Sequence, residues 1–365
     1  MPATAVASPP APAVTASPVA AVPTPDPNAR VLSVQEPPLS GDDVLAVQQR
    51  LLDLGYRQLG ARDGFYGPQT AAAVQTFQAV HGLEADGIVG PQTQAQLFAP
   101  TALNSDVIVP IVETALCQQH IVLGGSYGGA WFNNAATESL LRGGERYRLY
   151  GASGSAGETI GSAPTLDLEP PYNNQYVLSL DPPPADTALV ALGGDWEVQP
   201  RLVQPIGDAA TRSVAEAAVI DYLQGAGIAQ PLLSDADRFE VQAVDLLNDG
   251  RPELLISATR FSGAAEAVDA LPGDYSLVLL QTADEDVPQT LLVTATVYPD
   301  EEGASGNETE FTPRAEHRPP QTFDLNGDGQ LELLVTSRYF ESDTAVVYGL
   351  IQGQVVELLF AFCGV

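Results

Sequence analysis

Oxygen-bearing groups recur at every second position in Asp324-Leu325-Asn326-Gly327-Asp328-Gly329-Gln330-Leu331-Glu332. The side chains of Asp324, Asn326, Asp328 and Glu332 fall at positions 1, 3, 5 and 9, and the Gln330 carbonyl at position 7. Such hard oxygens suit Ca2+, three carboxylates offset its charge, and Gly329 at position 6 permits the sharp turn. Position 12 is Val335, not the bidentate glutamate of a helix–loop–helix site. Leu333 to Ser337 follow directly and read as a strand, so the expected frame is strand–loop–strand. A weaker copy runs from Asp245 to Glu253. It keeps Asp245, Asp249 and Glu253 but has Leu247 where an oxygen is needed, with Asn248 adjacent. Calcium is expected at 324–332. At 245–253 a merely solvated Asp-rich turn is the alternative.

Other reactive residue types are sparser. Gly124-Gly125-Ser126-Tyr127-Gly128 has the spacing of a hydrolase nucleophile turn. That turn must open a helix, and Gly129-Ala130-Trp131-Phe132 does not. Cys117-x-x-His120 could supply half a zinc site, with no second pair to complete it. His81, His120 and His317 are scattered without ligand spacing. Cys117 and Cys363 either pair, tying the middle of the chain to its end, or stay as two buried thiols.

The segments that position the two Asp-rich loops repeat with them. "VDLLNDGRPELLISATRFSG" parallels "FDLNGDGQLELLVTSRYFES", and two further strands follow each copy: Ser276 to Leu280 with Thr290 to Tyr298, then Ala345 to Ile351 with Gln354 to Phe362. The C-terminal third therefore reads as two four-strand units, resembling the calcium-binding strand–loop–strand of FG-GAP-like extracellular β-repeats. Two units cannot close a ring. They must pack face to face, or against the helix expected at 211–225 and the middle strands. That helix carries a stripe at Val214, Ala217, Ala218, Tyr222 and Leu223, and Gly225 ends it. Short strands are expected at 107–109, 120–123, 147–150, 176–180 and 188–192, with a single helical turn at 138–141.

Near the N-terminus, Asp63-Gly64-Phe65-Tyr66-Gly67-Pro68-Gln69-Thr70 recurs as Asp86-Gly87-Ile88-Val89-Gly90-Pro91-Gln92-Thr93. Each copy reads as a tight turn followed by a helix start: Asp-Gly makes the turn, Gly67 or Gly90 can take a positive φ, and Pro suits the first helical position. The segment from Asp42 to Gly55 is a complete helix signature, with acidic residues first and a glycine stop. The expected core is Leu51, Leu54, Val74, Phe77, Val80, Ile88 and Leu97. The strings "VQQRLLDLGY", "DGFYGPQTAAAVQTFQAVHGL" and "DGIVGPQTQAQL" together resemble the peptidoglycan-binding domain family. That resemblance implies a three-helix module with a shallow glycan groove near the turns and second helix. Phe65, Tyr66 and Gln69 are its candidate contacts, and the two aromatics could equally be core.

The chain holds 46 acidic and 15 basic residues, every basic one an arginine, for a net charge of −31. Such a surface disfavours nucleic acid and anionic membranes as partners. No apolar run is long enough for a spanning helix, and no signal peptide is visible. The fold class expected is multidomain: a small all-α three-helix bundle, then a β-rich (α+β) region with two repeated four-strand units. The divisions are a Pro/Ala-rich tether at 1–40, the helical module at 41–100, a β-rich subdomain at 101–205 and an α+β domain at 206–365. The leading expectation is a non-catalytic, extracytoplasmic protein of the cell wall or periplasm. It would hold peptidoglycan through its module, with a calcium-stabilised β-region for binding, adhesion or spacing. A wall hydrolase and a lectin-like or sensory ectodomain are the alternatives.

Overall fold

The computed structural model describes residues 30–364, except 57–58, 60, 106–107, 115, 128–129, 169–174, 195–203, 232, 235, 264–268, 284–287 and 301–312. The sequence also reads as an acidic, glycine-containing loop over 300–310 with an Asn307-x-Thr309 sequon; its residues 301–310, the first 29 residues of the expected tether, and Gly128 and Gly129 lie outside the described residues.

Three helices build the N-terminal module: α1 (Asp42–Asp53), α2 (Pro68–Val80) and α3 (Pro91–Leu97). Leu51, Leu54, Val74, Phe77, Val80 and Leu97 meet in one core, as the periodicity predicts. Ile88 does not join them. It is 36% exposed, and its neighbour Val89 is buried instead. The first copy behaves alike, with Phe65 52% exposed and Tyr66 0%. In each turn the second apolar residue is the one pointing inward. The positive φ angles also sit elsewhere than expected, at Gly64 (77°) and Gly87 (70°). Gly67 and Gly90 are extended helix caps, because a residue preceding proline is pushed out of helical conformations. Residues 30–40 are not free tether. Leu32 is buried in the module core and bridges Val89, while Arg30 pairs with Asp43 at 2.7 Å.

The first sheet has nine strands: β1 (Val109–Glu113), β2 (Ile121–Tyr127), β3 (Ala130–Asn133), β4 (Arg146–Gly151), β5 (Gly154–Gly161), β6 (Thr165–Leu166), β7 (Tyr176–Val177), β8 (Leu180–Asp181) and β9 (Val190–Leu192). Their order is β6-β7-β2-β1-β9-β4-β5-β8, with β3 on β2. The first strand begins at Val109, where the sequence reading ended it. Strand β5 went unforeseen because its glycines and polar residues lack an apolar alternation. A short helix, α4 (Asn134–Glu138), opens under the Asn133 cap, earlier than the turn expected at 138–141.

The second sheet runs in chain order: β10 (Gln204–Pro205), β11 (Arg238–Val244), β12 (Glu253–Arg260), β13 (Tyr275–Gln281) and β14 (Thr290–Val297). The third holds β15 (Glu316–His317), β16 (Gln321–Phe323), β17 (Glu332–Arg338), β18 (Ser342–Ile351) and β19 (Gln354–Gly364), with β15 and β16 both on β17. All of these pairings are antiparallel. Each Asp-rich loop joins two adjacent antiparallel strands, β11 to β12 and β16 to β17.

Alternation along single strands explains the stacking. On β13, Tyr275, Leu277 and Leu279 face helix α5 (Ala209–Gly225), whereas Val278 and Leu280 face the third sheet. On β17, Leu333 and Val335 face the second sheet, whereas Leu334 faces the first. Strands buried on both sides read as continuous apolar runs, as "SLVLL" and "ELLV" do. The layers thus follow the order α5, second sheet, third sheet, first sheet. The fully buried residues of α5 are Ala215, Val219 and Leu223; of the expected stripe Leu223 is among them, Ala218 and Tyr222 pack half-buried against the same core, and Val214 is exposed. Helix propensity alone leaves that phase open among so many alanines.

His317 lies buried between the second and third sheets. Its Nδ1 meets Ser337 Oγ at 2.7 Å and its Nε2 meets Thr296 Oγ1 at 3.0 Å. Burial drops its pKa from the usual 6.5 to about 4. The folded state then binds fewer protons than the unfolded state between those values, so stability falls as pH falls through that window. Urea unfolding at pH 7 and pH 4.5 is expected to differ by up to about 3 kcal/mol from this group, at 1.36 kcal/mol per unit. His317→Gln should flatten that part of the slope; an unchanged slope would refute the assignment.

Candidate functional site

Each Asp-Gly turn of the module is fastened by one buried glutamine. Gln48 Nε2 donates to Asp63 Oδ1 (2.9 Å), the Phe65 carbonyl (3.1 Å) and Thr70 Oγ1 (3.1 Å), and its Oε1 accepts from Gly64 N (2.9 Å). Gln78 repeats the set with Asp86 Oδ1 (2.8 Å), the Ile88 carbonyl (3.0 Å), Thr93 Oγ1 (3.0 Å) and Gly87 N (2.8 Å). The Ile88 amide and the Gln78 amide hold the Asp86 carboxyl below its ordinary range. The sequence reading missed both glutamines. The available signal was a polar residue amid the buried stripe of a helix, as Gln48 lies with Val44, Val47 and Leu51.

Among the three candidate contacts, Phe65 and Gln69 are exposed beside the first turn, and Tyr66 is not. The Tyr66 ring is fully buried and its hydroxyl donates to the Gly87 carbonyl at 2.8 Å, locking one turn to the other. Burial raises its pKa. Tyr66 is therefore a core residue, and the accessible edge consists of Phe65, Gln69 and the outward face of α2. His81 is structural too: its Nε2 accepts from Leu103 N at 2.8 Å, which leaves the proton on Nδ1 for the Phe77 carbonyl at 2.7 Å.

Residues 40–97 match the family model described as "Putative peptidoglycan binding domain". The chain is also similar to N-acetylmuramoyl-L-alanine amidase CwlM of Mycobacterium tuberculosis, 37% identical over 101 residues and covering 25% of each chain. N-acetylmuramoyl-L-alanine amidase CwlL of Bacillus licheniformis is 44% identical over 72 residues, covering 18% of this chain and 20% of that protein. The chain thus spans a quarter or less of these two relatives. A solved L,D-transpeptidase from Xylanimonas cellulosilytica covers 38% of this chain and 76% of its own at 29% identity, with a TM-score of 0.21, too low to bear on the fold.

Beyond the peptidoglycan-binding module, the structure places the remaining reactive residues. Ser126 is fully buried on β2, with Oγ donating to the Leu325 carbonyl at 3.3 Å, and a side chain at Gly124 would collide with the Phe132 carbonyl. That arrangement offers no exposed nucleophile. Cys117 and Cys363 form a disulfide that joins a 3-10 turn (Leu116–Gln118) to β19. His120 stands apart, with Nδ1 3.3 Å from the Thr114 carbonyl.

The two Asp-rich loops lie side by side, joined by Leu331 N donating to the Leu246 carbonyl at 2.9 Å. They share one design. Glu253 and Glu332, both buried, accept from the amides of Leu246 (2.9 Å) and Leu325 (2.8 Å). Asp245 accepts from Asp249 N and Gly250 N, and Asp324 from Gly327 N and Gly329 N. They differ in how charge is compensated. In the first loop the Arg251 guanidinium reaches Asp249 Oδ2 at 3.0 Å. In the second, Gln330 takes that place, and Asp328 Oδ2 accepts from Asn326 Nδ2. Burial first, then the Asp328 and Asp324 charges, push Glu332 up to about 8. Carboxylate and carbonyl oxygens of this kind suit a hard cation in their donor chemistry. Among the described residues, however, no three His, Cys, Asp or Glu side chains converge closely enough to hold one as folded.

Proposed function

We propose that this chain is a non-catalytic, exported, cell-wall-associated protein whose peptidoglycan-binding module grips the glycan through its exposed first turn. The observation that carries the reading is the module itself: the match over 40–97 coincides with three helices sharing one core and two glutamine-fastened turns. The Cys117–Cys363 disulfide supports an oxidising, extracytoplasmic location. The buried Ser126, the paired cysteines, and the buried His317 and half-buried His81, each with both ring nitrogens bonded, support the non-catalytic part. No helix among the described residues is long and apolar enough to cross a membrane. The test is co-sedimentation of the full chain with purified sacculi. Binding is expected, and protein left wholly in the supernatant would refute the proposal. Clearing of wall material in a zymogram would remove the word non-catalytic.

The β-region is proposed as a body of two related four-strand units of FG-GAP-like type, stiffened by Ca2+ at the second loop. Asp324, Asn326, Asp328, the Gln330 carbonyl and Glu332 would hold the ion, whose charge would offset three carboxylates. The first loop, with Arg251 already on Asp249 and Leu247 in a ligand position, is proposed to take none. A ligand bound only by the folded state raises the unfolding free energy by about 2.7 kcal/mol at a hundred times its dissociation constant. Millimolar calcium should therefore raise the melting temperature of the wild type, and Asp328→Ala should abolish the rise. Asp249→Ala should leave it intact. An identical melt with calcium and with chelator would end the calcium proposal.

A further inference from the structure

A cleft of about 720 Å3 opens between the outward face of α2 and the layer formed by β3, α4 and β7. We propose that it is a glycan subsite taking one or two rings of an N-acetylated sugar polymer, with one wall from each domain. This rests on the module's reading as a peptidoglycan binder, and moves part of the recognition onto the β-region.

The α2 wall carries Gln69 and Gln75 over a floor of Ala72 and Ala79, all on one helix face. The opposite wall carries Trp131 and Tyr176, both half-buried, with Asn133 and Glu138 between them. Pyranose rings offer apolar C–H faces to aromatic side chains, and their hydroxyl and acetamido groups exchange hydrogen bonds with amides and carboxylates. A concave site with aromatic walls and a few placed polar groups is what such a ligand needs, and the volume lies within the range of small-ligand sites. In a chain of net charge −31, Glu138 is the one charged side chain lining the cleft among the described residues. The cleft thus presents a nearly neutral surface to a polymer that bears carboxylates of its own.

The walls are fixed before any ligand arrives. Phe132 and Ile108, from the β-region, are buried in the module's own core. The Asn133 side chain caps α4 through Ala136 N at 2.8 Å, and Asn134 Nδ2 donates to Gln175 Oε1 at 3.2 Å, tying α4 to the strand that bears Tyr176. A preorganised cleft spares the ordering cost that a hinged pair of domains would meet on binding.

The test uses the full chain, measuring affinity for sacculi and for soluble glycan fragments released from them by a muramidase. Trp131→Ala removes a stacking face. Ala72→Arg narrows the cleft from an exposed helix position and leaves every core untouched, so a folding defect cannot explain its effect. Each substitution is expected to weaken binding at least tenfold, with the melting temperature of Ala72→Arg unchanged. Wild-type affinity in Ala72→Arg, with the wild type itself bound to sacculi, would overturn the subsite and leave the module reading intact. A wild type that fails to bind sacculi would overturn both.

Discussion

Reducing the Cys117–Cys363 disulfide is expected to cost on the order of 5 kcal/mol of stability. The bridge closes a loop spanning 246 residues of sequence, and chain-entropy arguments give that magnitude as a ceiling for so long a loop. The local geometry works the other way and keeps the cost below that ceiling, because strain held by the bridge relaxes when it is cut. Cys117 and Gln118 are consecutive left-handed residues, with φ of 49° and 59°, and neither is a glycine. Such residues cost on the order of 1 kcal/mol each and persist only where surroundings hold them. Here the Glu113 carboxylate caps Leu116 N and the bridge clamps the far side. Cys363 is fully buried on β19, among Leu123, Leu359 and Ala361, in the core shared by the first and third sheets. Losing the bridge therefore loosens the seam between two layers. Calorimetry with and without a phosphine reductant should show the midpoint falling by about 10 °C. Cys117 is exposed, so the reagent has access. An unchanged melt in protein carrying two titratable thiols would refute this.

What the sequence disclosed depended on whether a signal was local. The turns of the module are local: Asp-Gly, then Gly-Pro, fix chain direction within a few residues, and the helices followed as expected. The central strands β12, β13 and β17 were legible because both of their faces are buried and they read as nearly unbroken apolar runs. The first sheet was harder. Strands β6, β7 and β8 are two residues long, and only pairing with distant segments makes them strands. The phase of α5 and the choice of Val89 over Ile88 were set by tertiary packing, which no window of sequence contains. The same holds for the cleft, whose walls stand far apart in the chain and meet through Phe132 and its neighbours in the module core. The Asp-rich loops show the limit in reverse. Their pattern was visible, but the ion pair between Arg251 and Asp249 that separates the two copies emerged only from the geometry.

Replacing Gln78 by Met is expected to destabilise the module by about 3 kcal/mol. The substitution keeps the volume and removes the amide, so little of the loss comes from a cavity. It leaves Gly87 N without its acceptor inside the protein, and takes one of their bonds from the Ile88 carbonyl and Thr93 Oγ1, which still bond to each other at 3.2 Å. Each buried group left unsatisfied costs about 1–3 kcal/mol. Asp86 is exposed and can turn to water. Gln48→Met should cost a similar amount, since its four bonds match one for one. Stability within 0.5 kcal/mol of wild type in either variant would sink the argument that these amides organise the turns. The pair also separates folding from recognition. Gln48 fastens the turn that presents Phe65 and Gln69, whereas Gln78 fastens the turn at the far end of α2. If the first turn meets the wall, equal losses of stability should come with unequal losses of binding, and Gln48→Met should release sacculi at protein concentrations where Gln78→Met still holds them.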